Sequence, residues 1–325
     1  MDFELSADQE LLQQGTRAFL EGRFGQDVIR SIESSGRLDR GRWRELGETG
    51  VFSIMVAEED GGLGLGVSEA ALVLEELGRM LVPGPVVATM LAAHQLPDAS
   101  NGQLIVGIVE PAAPVTLVEH FDDLDGLLVL TDEGLRWGDP SAIETAEVER
   151  PLDALTPARQ LVATPPAGEP FGDETSASST RCVGAVLTAA LQLGLATRAL
   201  EIAVAYAKVR EQFGRPIGSF QVIKHMCADM HIRVDVARAA VHAAAVALDG
   251  RSNDDQIRAA SVAKCLAGDF AIENCKSAIQ IHGGIGFTWE GEVQRYWKRA
   301  CVLDTHFGNS DHHAEIVAST FGTAS

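Results

Sequence analysis

Residues 206–230 read YAKVREQFGRPIGSFQVIKHMCADM. They join two long runs rich in Ala, Leu, Val and Ile, whose near-continuous apolar faces predict helices over 181–212 and 220–248. Helices of this kind are covered inside a bundle, and a second subunit can cover them further. Between them, Gly214-Arg215-Pro216-Ile217-Gly218 breaks the helix. Arg210, Gln212 and Phe213 fall at the end of the first run. The residue types leave two readings open. One is a helix C-terminus with its usual basic residue. The other is a ligand site, in which Arg and Gln bond phosphate or ribose and Phe covers an apolar ring.

A second stretch, Gln280-Ile281-His282-Gly283-Gly284-Ile285-Gly286-Phe287, closes a later helix. A glycine pair there caps the helix and lets backbone N–H groups approach an anionic ligand. Together, YAKVREQFGRPIGSFQ and QIHGGIGFTWE resemble the flavin-binding signatures of the acyl-CoA dehydrogenase family. In that family the C-terminal helical domain reaches across a dimer interface to hold the adenosine and pyrophosphate end of the neighbour's FAD. The resemblance implies that Arg210, Gln212, Phe213, Gln280, Gly283 and Gly284 do so here, with Ile217, Phe220 and His282 lining the site.

At 325 residues the chain is long enough for two or three domains. The acidic N-terminus, MDFELSADQE, has no signal-peptide layout, and no apolar run in the sequence approaches membrane-span length. The expected location is the cytoplasm. The five cysteines form no CxxC pair and read as reduced, small hydrophobes. A net charge of −20 argues against nucleic acid or an anionic membrane as partner, and requires a local basic lining wherever coenzyme A binds.

The fold class expected is mostly α with a small β domain, like that of acyl-CoA dehydrogenases: helical 1–103, a shortened β domain at 104–170, and a four-helix bundle at 171–325. Ser6 with Gln9 forms a capping-box pattern, and a helix is expected near 39–49. The glycines of 61–66 lack the strand–helix–strand setting of a dinucleotide fingerprint and read as a flexible loop, with Ser68 capping the helix that follows. LIVGIVEP and LDGLLVLTDEGLRW are β-rich, whereas 156–179 reads as a loose connection. Further helices are expected from Asp254 or Asp255 to His282, over 290–305 and over 311–319. His306, His312 and His313 lack metal-ligand spacing and read as packing residues, as do Trp289, Tyr296 and Trp297.

α,β-Dehydrogenation needs a carboxylate to take the α proton while flavin accepts the β hydride. The family's base comes from one of two places, and the resemblance puts these at Phe307 and Gly184, neither of which accepts a proton. The residue beside the second position is Ala185, with Arg181 one turn earlier. The family's TEPxAGSD motif matches residues 109–115, where Val109, Pro114 and Val115 replace its flavin-bonding hydroxyls and flexible glycine. Lys298-Arg299 stands for an Arg-Asp pair. The chain therefore looks like the non-catalytic member of actinobacterial α2β2 acyl-CoA dehydrogenases of steroid side-chain breakdown. Such a chain shares FAD with a catalytic subunit that holds most of the acyl-CoA, and electron-transfer flavoprotein is the family's usual acceptor. The rival readings are a homomer with a displaced base (Asp304, then Asp173 or Glu174), a flavin-free binding protein, and an oxygen-using flavin enzyme.

Overall fold

The structure is a computed structural model that describes residues 5–111, 115–166, 168–250 and 253–321. By contacts the chain divides into two units. One holds the described residues up to Val73 together with Val82–Gly184. The other holds Leu74–Leu81 and the described residues from Ala185 onward.

In the first unit, α1 (Ala7–Arg23) starts at the capping box expected there: Gln9 N–H donates to Ser6 Oγ, and Ser6 N–H to Gln9 Oε1. α2 (Gln26–Ser35) stops at Gly36, whose φ of 62° is left-handed. α3 (Arg40–Glu48) is capped by the Asp39 carboxylate. The glycine-rich segment expected to be flexible is pinned: Leu63 N–H donates to Ser53 O, Gly64 N–H to Val56 O and Leu65 N–H to Ile54 O. α4 (Val67–Arg79), whose residues from Leu74 belong to the second unit, begins two residues earlier than expected, so Ser68 lies inside its first turn and does not cap it. α5 (Val86–Ala92) and α6 (Pro97–Ser100) follow.

The strands come next. β1 (Val106–Val109), β3 (Gly126–Thr131), β4 (Gly134–Gly138) and β7 (Glu169–Gly172) form one sheet in the order β1-β3-β4-β7. β2 (Leu117–Glu119), β6 (Ala158–Leu161) and β5 (Thr145–Glu147) form a second. β3 is the hub. Leu128 and Leu130 pack with Ala92, Val106 and Leu135, while Leu127 and Val129 face the other way onto Val109, Val118 and Ile143. Alternate side chains serve opposite faces, so a strand covered on both sides is apolar throughout. The expected loose connection over 156–179 instead contains β6, β7 and the start of α7 (Glu174–Val209). Asp173 opens that helix, accepting from the Ser176 N–H and hydroxyl.

The second unit is helical. α8 (Gln221–Asp249) and α9 (Asn253–His282) pack along each other, and α9 also carries α10 (Val293–Asp304) and α11 (Ser310–Thr320). Alanines make these packings close: Ala237, Ala244, Ala245, Ala263, Ala267 and Ala271 are all buried. Among the described residues, α7 is the one helix long and apolar enough to cross a membrane, and most of its apolar window is buried.

Candidate functional site

α7 stops at Val209, earlier than the sequence suggested, and Arg210 to Gln212 leave the helix. Glu211–Gln212 (β8) pairs antiparallel with Arg215–Pro216 (β9), joined by Phe213 and Gly214. Both turn residues have positive φ, 54° and 76°. That is the signature of a two-residue type I′ hairpin turn, whose twist suits the flanking strands. Glycine adopts it freely, but a phenylalanine there is an outlier. The Phe213 side chain is 92% exposed, with the edge of its ring set toward Phe220 at 6.1 Å between centroids. The Ile217 N–H donates to Arg210 O and closes the base of the hairpin.

The second stretch ends α9. The ring of His282, its last residue, stacks on Tyr206 of α7 at 4.1 Å, bringing the two sequence signatures together. His282 Nδ1 lies 2.7 Å from Ala278 O, so that nitrogen carries the hydrogen and Nε2 is left available. Gly283 follows with φ of 63°, which ends the helix. Gly284 has an ordinary φ, and a Cβ placed on it would meet nothing within 4 Å. Nothing inside the chain demands glycine there. A ligand brought against the backbone from outside would.

Arg210, Gln212 and Gln280 are exposed, and Ile217, Phe220 and His282 are half-buried around them. The side chains of Arg210 and Gln280 make no hydrogen bond or ion pair among the described residues, while Gln212 Nε2 donates to Glu211 O. The sequence reading passed over two members of this group. Arg215 lies across the turn from Gln212, its guanidinium 4.2 Å from the Phe220 ring centre. Tyr206 stands four residues before Arg210, and its helical spacing was the available signal. The group can hold an anion between exposed cations and an aromatic surface, with the exposed backbone of Gly283 and Gly284 beside it. It fits the adenosine and diphosphate end of a dinucleotide.

The residues matched to the family's base positions lie elsewhere. Gly184 is buried in α7. Phe307 has φ of 52°, and its carbonyl accepts from His313 Nε2 at 2.9 Å. His313 Nδ1 lies 3.0 Å from Ser261 Oγ, and burial pushes the imidazole down to about 4, so the ring is neutral. Beside it Lys264 is fully buried and donates to Asp304 O at 3.0 Å. Burial lowers its ammonium to about 8, with the Asp304 charge offsetting part of the shift. The Asp304 carboxylate accepts from the Ser310 hydroxyl at 2.8 Å and lies 3.9 Å from the Lys264 ammonium. It is engaged by Ser310 at the α10–α11 turn.

In the first unit, Val109 ends β1 and is buried in the core, and Val115 is exposed. Glu110 is held by Arg181 at 2.8 Å, and Arg181 also reaches Asp132 at 3.1 Å. Ala112, Ala113 and Pro114 lie outside the described residues. No hydroxyl stands at residues 109 and 115, so this segment does not fit a flavin ring as the TEPxAGSD segment would. Among the described residues no group of three or more His, Cys, Asp or Glu is arranged to hold a metal ion. Tyr296 is buried and donates to Arg79 O, whereas Trp289 is exposed beneath the Lys298 ammonium.

A mostly helical chain with two small sheets, and with this hairpin and glycine pair meeting at the ends of two long helices, is the arrangement that the resemblance to flavoprotein dehydrogenases implies. The family description "Acyl-CoA dehydrogenase, C-terminal domain" matches residues 176–321, and "Acyl-CoA dehydrogenase, N-terminal domain" matches residues 6–102. The chain is 34% identical to the acyl-CoA dehydrogenase IpdE2 of Mycolicibacterium smegmatis, over 91% of this chain and 93% of that one. It therefore belongs to the acyl-CoA dehydrogenase family. It is also 33% identical to the acyl-CoA dehydrogenase FadE34 of Mycobacterium tuberculosis, over 94% of this chain but 46% of FadE34. Among solved structures, a chain of the Tcur3481-Tcur3483 steroid ACAD superposes with a TM-score of 0.86 at 24% identity, covering 98% of this chain and 99% of that one.

Proposed function

We propose that this chain is the non-catalytic subunit of a heteromeric, FAD-dependent acyl-CoA dehydrogenase. A partner subunit supplies the carboxylate base, the flavin-ring contacts and most of the acyl-CoA pocket. This chain supplies the grip on the adenosine and diphosphate end. Arg210 pairs with the diphosphate, Gln212 and Gln280 bond it or the ribose, and Phe213 covers the adenine. The backbone at Gly283 and Gly284 closes against it, and Ile217, Phe220 and His282 line the site. When bound, the flavin accepts the β hydride of the acyl thioester. The three-part division at 1–103, 104–170 and 171–325, a cytoplasmic location and electron-transfer flavoprotein as acceptor belong to the same reading.

The observation that carries it is the contrast between two regions. The exposed hairpin and glycine pair hold unpaired polar groups and an exposed, strained phenylalanine. The family's two base positions hold Phe307 and Gly184, and the nearby Asp304 carboxylate is already bonded to Ser310. Two relatives are in keeping with it. The match leaves more than half of FadE34 outside it, so there this kind of chain is one part of a longer polypeptide. The steroid ACAD that superposes on it bears a two-component name, and a steroid-derived acyl group is the substrate class proposed here.

Flavin stoichiometry tests the proposal. The chain expressed alone is expected to be colourless, and together with the acyl-CoA dehydrogenase encoded beside it to give a yellow complex with one FAD per pair. A yellow homomer that oxidises an acyl-CoA by itself would overturn it, and Asp304→Asn in that homomer would then test the displaced base.

A further inference from the structure

Thr188 and Gln192 stand one turn apart on the same face of α7, and both are fully buried. Among the described residues the Thr188 hydroxyl has no hydrogen-bond partner, and neither the oxygen nor the nitrogen of the Gln192 amide has one. A buried amide left unmet costs free energy, and folded chains seldom bear that cost. Opposite this face, α9 carries Gly268 in its interior. A helix interior ordinarily disfavours glycine, and the φ of Gly268 gives no reason for one. The reason is room: a Cβ there would stand 2.6 Å from Asp304 Oδ1, 2.7 Å from Ser310 Oγ and 3.4 Å from Gln192 Nε2. Polar atoms from three elements therefore converge on one point, and all of these residues belong to the second unit.

No hydrogen bond joins Gln192 to Asp304. Yet Gln192 Nε2 and Asp304 Oδ1 are at most about 6 Å apart, which one molecule spans by making a bond of about 2.9 Å to each. The two ends decide what that molecule is. Turning the amide over would set its oxygen against the carboxylate, so the nitrogen faces Asp304. Gln192 Nε2 donates, and the bridging molecule must accept there. Asp304 Oδ1 takes one bond from the Ser310 hydroxyl at 2.8 Å and keeps lone-pair capacity, so the bridging molecule must donate there. A cation cannot accept from an N–H, and an anion cannot donate to a carboxylate. The Lys264 ammonium, 3.9 Å from Asp304 Oδ1, disfavours a second cation further. Water both accepts and donates, and the two to four polar partners that an internal water takes are present.

We propose that Gln192, Asp304 and Ser310 bind one structural water molecule against Gly268, and that this water ties α7 to the α10–α11 turn that carries Phe307. The site lies within one chain and does not depend on the heteromeric reading above. Its test is a crystal structure of the full chain, with its partner subunit where one co-purifies, at a resolution that shows ordered water. One peak of density is expected within hydrogen-bond distance of both Gln192 Nε2 and Asp304 Oδ1, with no anomalous signal there after a soak in rubidium chloride. A direct bond between Gln192 and Asp304, no density between them, or a rubidium peak would each overturn the proposal. Urea unfolding adds a measurement in solution, comparing the parent with Gln192→Met, which keeps the length of the side chain and lacks its amide. If water satisfies the amide, the substitution strands that water and lowers the folding equilibrium constant at least tenfold. If the amide is unmet, removing it leaves the constant unchanged or raises it, and the proposal fails. A poorly fitting methionine would also lower the constant, and the density in the parent then decides.

Discussion

Phe213 occupies a backbone conformation that glycine holds without strain, at a cost of about 1–2 kcal/mol for a side-chain-bearing residue. Its ring is almost wholly in water, so no packing within the chain offsets that cost. Strain retained at an exposed aromatic points to use of the ring. Phe213→Gly is therefore expected to leave the melting temperature unchanged or raised, yet to lower the flavin retained by the complex; unchanged retention would deny the ring its role. Gly284 offers the complementary case. Its surroundings are empty and its φ ordinary, so Gly284→Leu should fold as stably as the parent. If a dinucleotide closes against this backbone, the same substitution should reduce flavin binding at least tenfold, measured by the absorbance of the complex after gel filtration. Arg210 and Gln280 enter the proposed site through the family resemblance, since their residue types alone fit a helix C-terminus as well. Arg215 was missed because its place over Phe220 depends on a turn that only the folded geometry supplies, whereas Tyr206 had a signal in its helical spacing from Arg210.

At the scale of elements, two glycines set how closely α4 and α7 approach. A Cβ on Gly78 would sit 2.1 Å from Leu191 O, and one on Gly194 would sit 2.0 Å from Glu75 O. The obstacles are backbone atoms of helices, which cannot turn aside as a side chain can. Gly194→Ala should therefore cost about 1–3 kcal/mol despite alanine's better helix propensity, read from the midpoint of urea unfolding. A neutral result would mean that the helices separate freely. Most of the long helices were readable, because long apolar periodicity and a cap such as Ser6 are local signals, although α2 and its stop at Gly36 were not singled out. The strands missed have no such signal. β6 and β7 are four residues each and only partly buried, so they show no alternation of polar and apolar positions. β8 and β9 are two residues each, and their pairing depends on a phenylalanine at positive φ, which residue preference speaks against.

For the molecule as a whole, the buried cluster on the α10–α11 turn makes stability depend on pH in two windows. His313 titrates near 4 in the folded chain and near 6.5 when unfolded, so between these values the unfolded chain binds the extra proton. Stability is then full above 6.5 and is lost as pH falls toward 4. Lys264 titrates near 8 folded and 10.5 unfolded, so again the unfolded chain holds more protons between the two values. The charged lysine penalises the fold below pH 8, and the penalty lifts as pH rises toward 10.5, by an amount on the order of 3 kcal/mol. The net charge of −20 adds a broad background through self-repulsion that also changes with pH, so absolute curves mix many groups. Difference curves isolate the two. Urea unfolding of the parent and of Lys264→Met should diverge between pH 8 and 10.5, the parent gaining, and run parallel between pH 6.5 and 8. The parent and His313→Gln should diverge only below 6.5, with the parent losing. Parallel curves throughout would mean that water reaches the cluster and that neither group titrates as a buried one. The cluster would then fix the Phe307 turn through its hydrogen bonds alone, with no charge held out of solvent.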